Sequence, residues 1–233
     1  MSSPHFLQFE IRPVSGAAST VRVTPGQLII AGWAGRDTAA VEAHIKELEE
    51  IGVARPRRTP MFYRLSPLLL TNGAAMDVAG DKATGEAEVV LVNADGVLCV
   101  GIGSDHTDRA LETVGVTLSK QVCGKPVSPV LWRFDDLADH WDSLVLRSLV
   151  WRDGDWRLYQ QGTLESLMTP QDLMTHLSEE GGRFGAGDVM FCGTVPIIGE
   201  FYFAEKMVLE LVDPVLDRSL RHEIRINALQ IAD

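Results

Sequence analysis

Apolar and polar residues alternate with a period of two through much of this chain, a rhythm that marks strands. Residues 6–12 and 20–31 alternate or run apolar, with Thr24-Pro25-Gly26 as a turn, so an N-terminal β segment is expected. The period then changes. Val41, Ile45, Leu48 and Ile51 recur at helical spacing, Asp37 or Thr38 offers a cap and Gly52 a stop, which predicts a helix over 39–51. Strands return at 61–65, 86–92 and 97–102, and the Gly-, Asp- and Thr-rich stretch 72–85 reads as loop. Helices are expected over 107–113, over 135–146 behind Asp135-Asp136, and from Thr169-Pro170 to Ser178 before Gly181-Gly182. Strands at 144–151 and 156–161 flank the turn Asp153-Gly154-Asp155, and the last ones fall at 188–193, 205–211 and 222–229.

Strands dominate, helices are few and scattered, and no alternating βαβ rhythm or repeat is present. The pattern predicts an α+β chain that is mainly β, a mixed β-roll or sandwich with a few peripheral helices. Its 233 residues suffice for one substantial domain, 35–233, with residues 1–34 as an N-terminal β segment packed on it.

The chemistry lies on one predicted hairpin. Glu86 and Glu88 are two apart on a strand and share a face with Val90 and Val92, so two acids sit on an otherwise apolar surface. A four-residue loop, Asn93-Ala94-Asp95-Gly96, would pair Val92 with Val97 and Glu86 with Gly103. Asp105 then falls on the glutamate face just beyond the hairpin end, whereas a loop one residue longer would move it to the other face. Three carboxylates on a low-dielectric face stay ionised together only if a cation joins them, and oxygen ligands alone suit a hard ion such as Mg2+, Mn2+ or Ca2+.

The formal charge of −11 argues against nucleic acid or an anionic membrane surface as partner, and no apolar run approaches spanning length. The N-terminus lacks a basic start and an apolar stretch, and Cys99, Cys123 and Cys192 have no Cys-X-X-Cys spacing. Both observations lead us to expect a cytoplasmic protein with reduced, buried thiols. Gly101-Ile102-Gly103 lacks the third glycine of a dinucleotide fingerprint and lies inside a hairpin. Gly193-Thr194 has no lysine after it and is not a P-loop.

His44 and Glu47 lie one turn apart on the first predicted helix, an arrangement suited to a base and the carboxylate that orients it. In chain order, HIKELEE followed by RPRRTPMFYR, GEAEVV, SDHTDR, SKQVCGKPVSP, YQQGTLESLMTPQDLMTHL and GDVMFCGTVPIIG resemble the motifs of the fumarylacetoacetate hydrolase superfamily across about residues 35–200. The resemblance implies that family's β-roll, a Mg2+ or Mn2+ ion on Glu86, Glu88 and Asp105, and a small anionic 2-oxo acid substrate. It further implies that Arg64, Arg109 and Thr194 position the substrate, that Lys120 (or Lys125) stabilises the enolate, and that His44 oriented by Glu47 activates water. A homodimer is expected on the same ground. Hydrolysis of a C–C bond is the simplest activity. Decarboxylation, hydration, isomerisation or ligand binding without catalysis are the alternatives.

Three departures from the family pattern stand out. The interval from Glu88 to Asp105 is short, Arg64 stands where a lysine is usual, and His44 lies in a long regular helix instead of a short lid.

Overall fold

The computed structural model describes residues 5–232, so the first four residues of the predicted 1–34 segment and the last of 35–233 lie outside them. The chain begins with β1 (Leu7–Ile11), β2 (Ser19–Val23) and β3 (Leu28–Gly32), then α1 (Thr38–Glu50), β4 (Met61–Leu65) and the two-residue β5 (Leu70–Thr71). Next come β6 (Ala75–Ala79), β7 (Ala83–Thr84), β8 (Ala87–Ala94), β9 (Val97–Ser104) and β10 (Thr107–Asp108). The short helix α2 (Val116–Gln121) leads to β11 (Lys125–Pro126), β12 (Val130–Arg133), β13 (Val145–Arg152) and β14 (Asp155–Thr163). The chain closes with α3 (Pro170–Glu179), β15 (Val189–Thr194), β16 (Lys206–Asp213) and β17 (Arg218–Leu229).

The fold is mainly β, as the alternation predicts. Eight strands form one sheet in the order β2-β1-β12-β9-β8-β15-β3-β4, and five form a second in the order β14-β13-β16-β17-β6. Pairing is mixed: β1 runs parallel to β12, β15 to β3 and β17 to β6, while the hairpins are antiparallel. Strands β1 to β3, from the predicted N-terminal segment, are members of the larger sheet.

Two apolar cores follow from the period-two alternation of side chains. One fills the space between the sheets, with Ile29, Val89, Leu91, Ile102, Leu146, Met207, Leu209 and Ile224. The other gathers Leu7, Phe9, Val23, Leu28, Ile30, Tyr63, Leu65, Val90, Val92, Leu131 and Phe191, residues from both ends of the eight-stranded sheet. Strands far apart in the sheet order meet in this second core, so the sheet is rolled upon one face. The carboxylate strand β8 thus sends Val89 and Leu91 to one core and Val90 and Val92 to the other.

Several local expectations change. The β8–β9 hairpin turns on two residues, Asp95 (φ 52°) and Gly96 (φ 92°), with Ala94 opposite Val97. Both central residues lie in the left-handed region that an Asp-Gly hairpin turn requires. The register therefore moves by two residues from the four-residue reading: Glu88 pairs with Gly103, and Asp105 donates its backbone N–H to the Glu86 carbonyl at 2.9 Å. A shift of two preserves the face, so Asp105 stays on the glutamate side.

Residues 107–113 form no helix. Thr107 and Asp108 pair with β7, and turns follow. The expected helix over 135–146 is two short 3-10 segments, Phe134–Asp136 and Ala138–Ser143, broken by the non-helical His140 (φ −135°, ψ 24°), and residues 145–152 go into β13. The stretch 72–85 contains β6, whose pairing is parallel to the distant β17. Helix α1 matches its expectation, with Asp37 Oδ1 accepting from the N–H groups of Ala39 and Ala40.

Candidate functional site

Glu86, Glu88 and Asp105 come together where β8 begins and β9 ends. Each offers an oxygen, and the three oxygens lie within 4.8 Å of one another. Their surroundings are largely dry: Asp105 is fully buried and Glu88 is 3% exposed. Glu88 Oε2 accepts the backbone N–H of Gly193 at 2.9 Å. The β15–β8 register is irregular between Phe191 and Thr194, and Gly193 sits there at φ 92°, so a bulge turns its N–H onto the carboxylate.

Cations surround the trio unevenly. Arg109 Nη2 meets Glu86 Oε1 at 2.9 Å, its Nη1 meets Glu112 at 2.9 Å, its Nε donates to Thr84 at 2.6 Å, and the Phe201 ring covers its face at 4.3 Å. Lys120, on α2, places its ammonium directly against Asp105 Oδ2, 3.2 Å from Thr107 Oγ1 and 4.0 Å from Glu86 Oε2. Lys125 is fully buried and donates to the carbonyls of Lys120 (2.6 Å), His106 (2.8 Å) and Cys123 (3.0 Å), with Asp105 Oδ1 at 3.6 Å. These contacts separate the two lysines: Lys120 faces the carboxylates and Lys125 ties backbone together.

The electrostatics follow from burial and these partners. Burial pushes the Glu88 carboxyl well above its usual range, and the neighbouring Asp105 adds to the push. Burial acts on Glu86 in the same sense, but Arg109 and Lys120 outweigh it and hold that carboxyl low. For Lys120 burial favours loss of the proton, yet Asp105 and Glu86 prevail and keep the ammonium charged. Among the described residues Glu88 makes no ion pair, and the buried Asp105 Oδ1 has no hydrogen-bond donor. A donor-poor buried oxygen beside two other carboxylates fits an oxygen-ligated divalent ion, which would meet both needs at once.

The other expected site residues distribute as follows. Thr194 pairs with Glu88 across the sheet. Its hydroxyl donates to Ala87 O at 2.7 Å and accepts from Gln160 Nε2 at 2.7 Å. His44 and Glu47 lie on the outer face of α1, with Nδ1 and Oε2 3.4 Å apart and the Trp33 ring 5.7 Å from the imidazole.

Arg64 is not brought to the trio. It pairs with Ile29 on the face of the first core, whereas its neighbours Tyr63 and Leu65 face the second core with Val90 and Val92. Alternation along β4 therefore directs Arg64 away from the carboxylates.

Sequence reasoning misses three contributors. Gln160 is fully buried. Its carbonyl accepts from Ala87 N and Ser148 Oγ and its amide donates to Thr194 Oγ1 and Val195 O, which pins the start of β8 to the end of β15. His106 bonds Ser104 Oγ at 2.8 Å, and burial followed by the nearby Lys125 keeps it neutral, well below the usual histidine range. Tyr63 accepts the Trp33 indole N–H at 3.1 Å. Burial outweighs that bond and raises its phenol. A buried glutamine or tyrosine carries no spacing signal, and only the resemblance of the YQQGTLESL stretch points near Gln160.

A sequence model for a family described as "Protein of unknown function (DUF2848)" matches residues 31–224. No curated protein matches in sequence. Solved structures do match in fold. A 2-keto-3-deoxyarabinonate dehydratase is 15% identical at a TM-score of 0.63, over 89% of this chain and 75% of that one. Yeast ynq8, a fumarylacetoacetate hydrolase family protein, is 16% identical at 0.62, over 88% and 94%. A proposed fumarylpyruvate hydrolase from Burkholderia cenocepacia is 19% identical at 0.61, over 99% and 98%. The fold is thus that of fumarylacetoacetate hydrolase family proteins, at identities that establish the fold alone.

Proposed function

With the chain belonging to the DUF2848 family, we propose that it is a divalent-metal-dependent enzyme acting on a small 2-oxo or β-dicarbonyl carboxylic acid, most simply a hydrolase of a C–C bond. The observation that carries this is the trio of Glu86, Glu88 and Asp105, with ligand oxygens within 4.8 Å and one buried oxygen lacking a donor. Mg2+ or Mn2+ is the ion of choice, and Ca2+ also takes oxygen ligands. When bound, such an ion supplies Lewis-acid stabilisation of negative charge on substrate oxygens.

The chain's own residues account for the rest. Lys120 remains an ammonium beside Asp105, so it stabilises developing negative charge and does not act as a base. Arg109, ion-paired with Glu86 and Glu112 and bonded to Thr84, holds Glu86 in place and adds positive field at the substrate. The Thr194 hydroxyl, fixed between Ala87 and Gln160, keeps one lone pair for a substrate group. A neutral His44 that donates from Nδ1 to Glu47 leaves Nε2 as the base that takes a proton from water.

A second reading, a lyase or isomerase on a related 2-oxo acid, draws on one observation. The side chains of His44 and Glu47 are 61% and 74% exposed, which favours chemistry that needs no water activation. Incubating the Mn2+-loaded protein with a panel of 2-oxo acids and identifying the products decides. Two acids from one substrate support the hydrolase, and carbon dioxide or dehydrated product supports the second reading. An absence of turnover with every acid, despite ligand binding, leaves a non-catalytic binding protein and contradicts both. Light scattering tests the homodimer expected with this proposal.

A further inference from the structure

A groove of about 830 Å3 lies at the other end of the site strands. Asn93 hydrogen-bonds the backbone of Gly187 and Asp188 at its edge, and Asn93 is five residues along β8 from Glu88, roughly 16 Å at the rise of a strand. Its walls come from the start of β3, the end of β4 and the loop between α3 and β15.

Two arginines line this groove, Arg64 and Arg183, and neither makes an ion pair among the described residues. Arg64 is held in place by a relay. The buried Asp188 carboxylate accepts the Gly185 N–H at 2.8 Å and the Gln27 side-chain amide at 2.8 Å, and Gln27 Oε1 in turn accepts from Arg64 Nη1 at 2.9 Å. Only the amide nitrogen can donate to a carboxylate, so the Gln27 oxygen must face Arg64. The backbone leaves room for this arrangement: a Cβ on Gly182 would stand 2.9 Å from Arg64 Nη2 and 2.7 Å from Leu177. Asp188 is the one acid in the lining, and its Oδ2 takes both the Gln27 and the Gly185 bonds. The groove therefore presents positive charge on a chain of net charge −11.

We propose that this groove is a second binding site, separate from the carboxylate centre, for a small molecule bearing a phosphate or carboxylate group clamped between Arg64 and Arg183. A guanidinium fixed on one side offers its remaining N–H groups as a fork that matches either oxyanion. The volume is that of a small-molecule pocket. No residue of the metal trio takes part, so the inference stands apart from the proposed reaction.

Calorimetric titration of the metal-free protein with inorganic phosphate, pyrophosphate and citrate tests it, beside Arg64→Gln, Arg183→Gln, the double variant and Glu88→Gln, with melting curves to verify folding. At least one anion binds the wild type, more weakly as salt rises. Each arginine variant weakens it by about tenfold or more, and Glu88→Gln leaves it unchanged. Preference for pyrophosphate or for citrate identifies the oxyanion. The proposal is overturned if none of the three anions binds at millimolar concentration, or if the folded double variant binds as wild type does. It is equally overturned if Glu88→Gln abolishes binding, which would assign the anion to the carboxylate centre.

Discussion

Replacing Lys125 with methionine removes a charge that does no chemistry in this account, and it should unfold the protein more readily than any change at Lys120. The ammonium donates to three backbone carbonyls, those of His106, Lys120 and Cys123, and the side chain is fully buried. Methionine is an unbranched apolar chain one atom shorter and has no N–H, so three acceptors lose a donor where water cannot reach, and only the Lys120 carbonyl keeps another, the Cys123 N–H at 3.4 Å. Each such loss costs about 1–3 kcal/mol. Against this stands the burial of an ammonium, several kcal/mol of unfavourable desolvation that the variant relieves. Burial indeed lowers the Lys125 pKa despite Asp105 nearby. Breaking a buried charged network from one side leaves a net destabilisation of about 3–5 kcal/mol. At about 2–4 °C per kcal/mol for a chain of this size, the melting temperature should fall by about 6–20 °C. Denaturant titration with a fixed slope and a thermal melt give the two numbers. A loss of less than about 1 kcal/mol would refute the view that Lys125 ties the β9–β11 region together. In Lys120→Met the groups left without their ammonium are chiefly carboxylates, which an added divalent ion can neutralise. Mn2+ should therefore largely restore the stability of Lys120→Met and leave that of Lys125→Met unchanged.

His44→Ala should lower turnover by roughly 100- to 10,000-fold if His44 is the base, with Mn2+ affinity unchanged by calorimetry; equal turnover would remove it from the mechanism. In Gly103→Ala the new Cβ would stand 2.6 Å from Pro126 O and 2.7 Å from the Phe191 ring, so denaturant unfolding should show a loss of about 1–3 kcal/mol, and wild-type stability would contradict the packing. His222 is buried on β17 with an Nε2 that has no partner among the described residues, and burial lowers its pKa below the ordinary 6.5. The folded state therefore binds its proton less readily than the unfolded chain, and the stability it contributes is complete above pH 6.5 and declines as the pH falls from there toward the folded value. His222→Leu should flatten the fall in melting temperature between pH 7 and pH 5, and an unchanged slope would exclude the residue.

The carboxylate face is legible in the sequence because strand parity is robust to an even error. A four-residue loop and the Asp95-Gly96 turn differ in pairing by two, yet Asp105 falls on the glutamate face in both. Helix α1 and the Thr169-Pro170 start of α3 are readable from local chemistry, since cap, stripe and stop lie within a few residues. Parity equally explains Arg64: the order of motifs places it near the substrate, but on β4 it alternates with Tyr63 and points to the other face. Long-range pairings leave no mark. The parallel β6–β17 and β1–β12 contacts join segments far apart in the chain, so residues 72–85 read as loop. The stretch from Thr107 reads as a helix because its polar, Thr- and Asp-rich sequence suits either a helix start or a turn, and pairing with β7 decides it.

Titration of the purified, chelator-stripped protein with Mn2+, followed by calorimetry for wild type and Glu88→Ala, decides whether the carboxylate trio holds a metal ion. One ion per chain is expected in the wild type, and an affinity weakened by about a hundredfold or more in the variant, since a ligand should matter at least as much as its supporting partners. Binding of Mn2+ by Glu88→Ala as tightly as by wild type would contradict it.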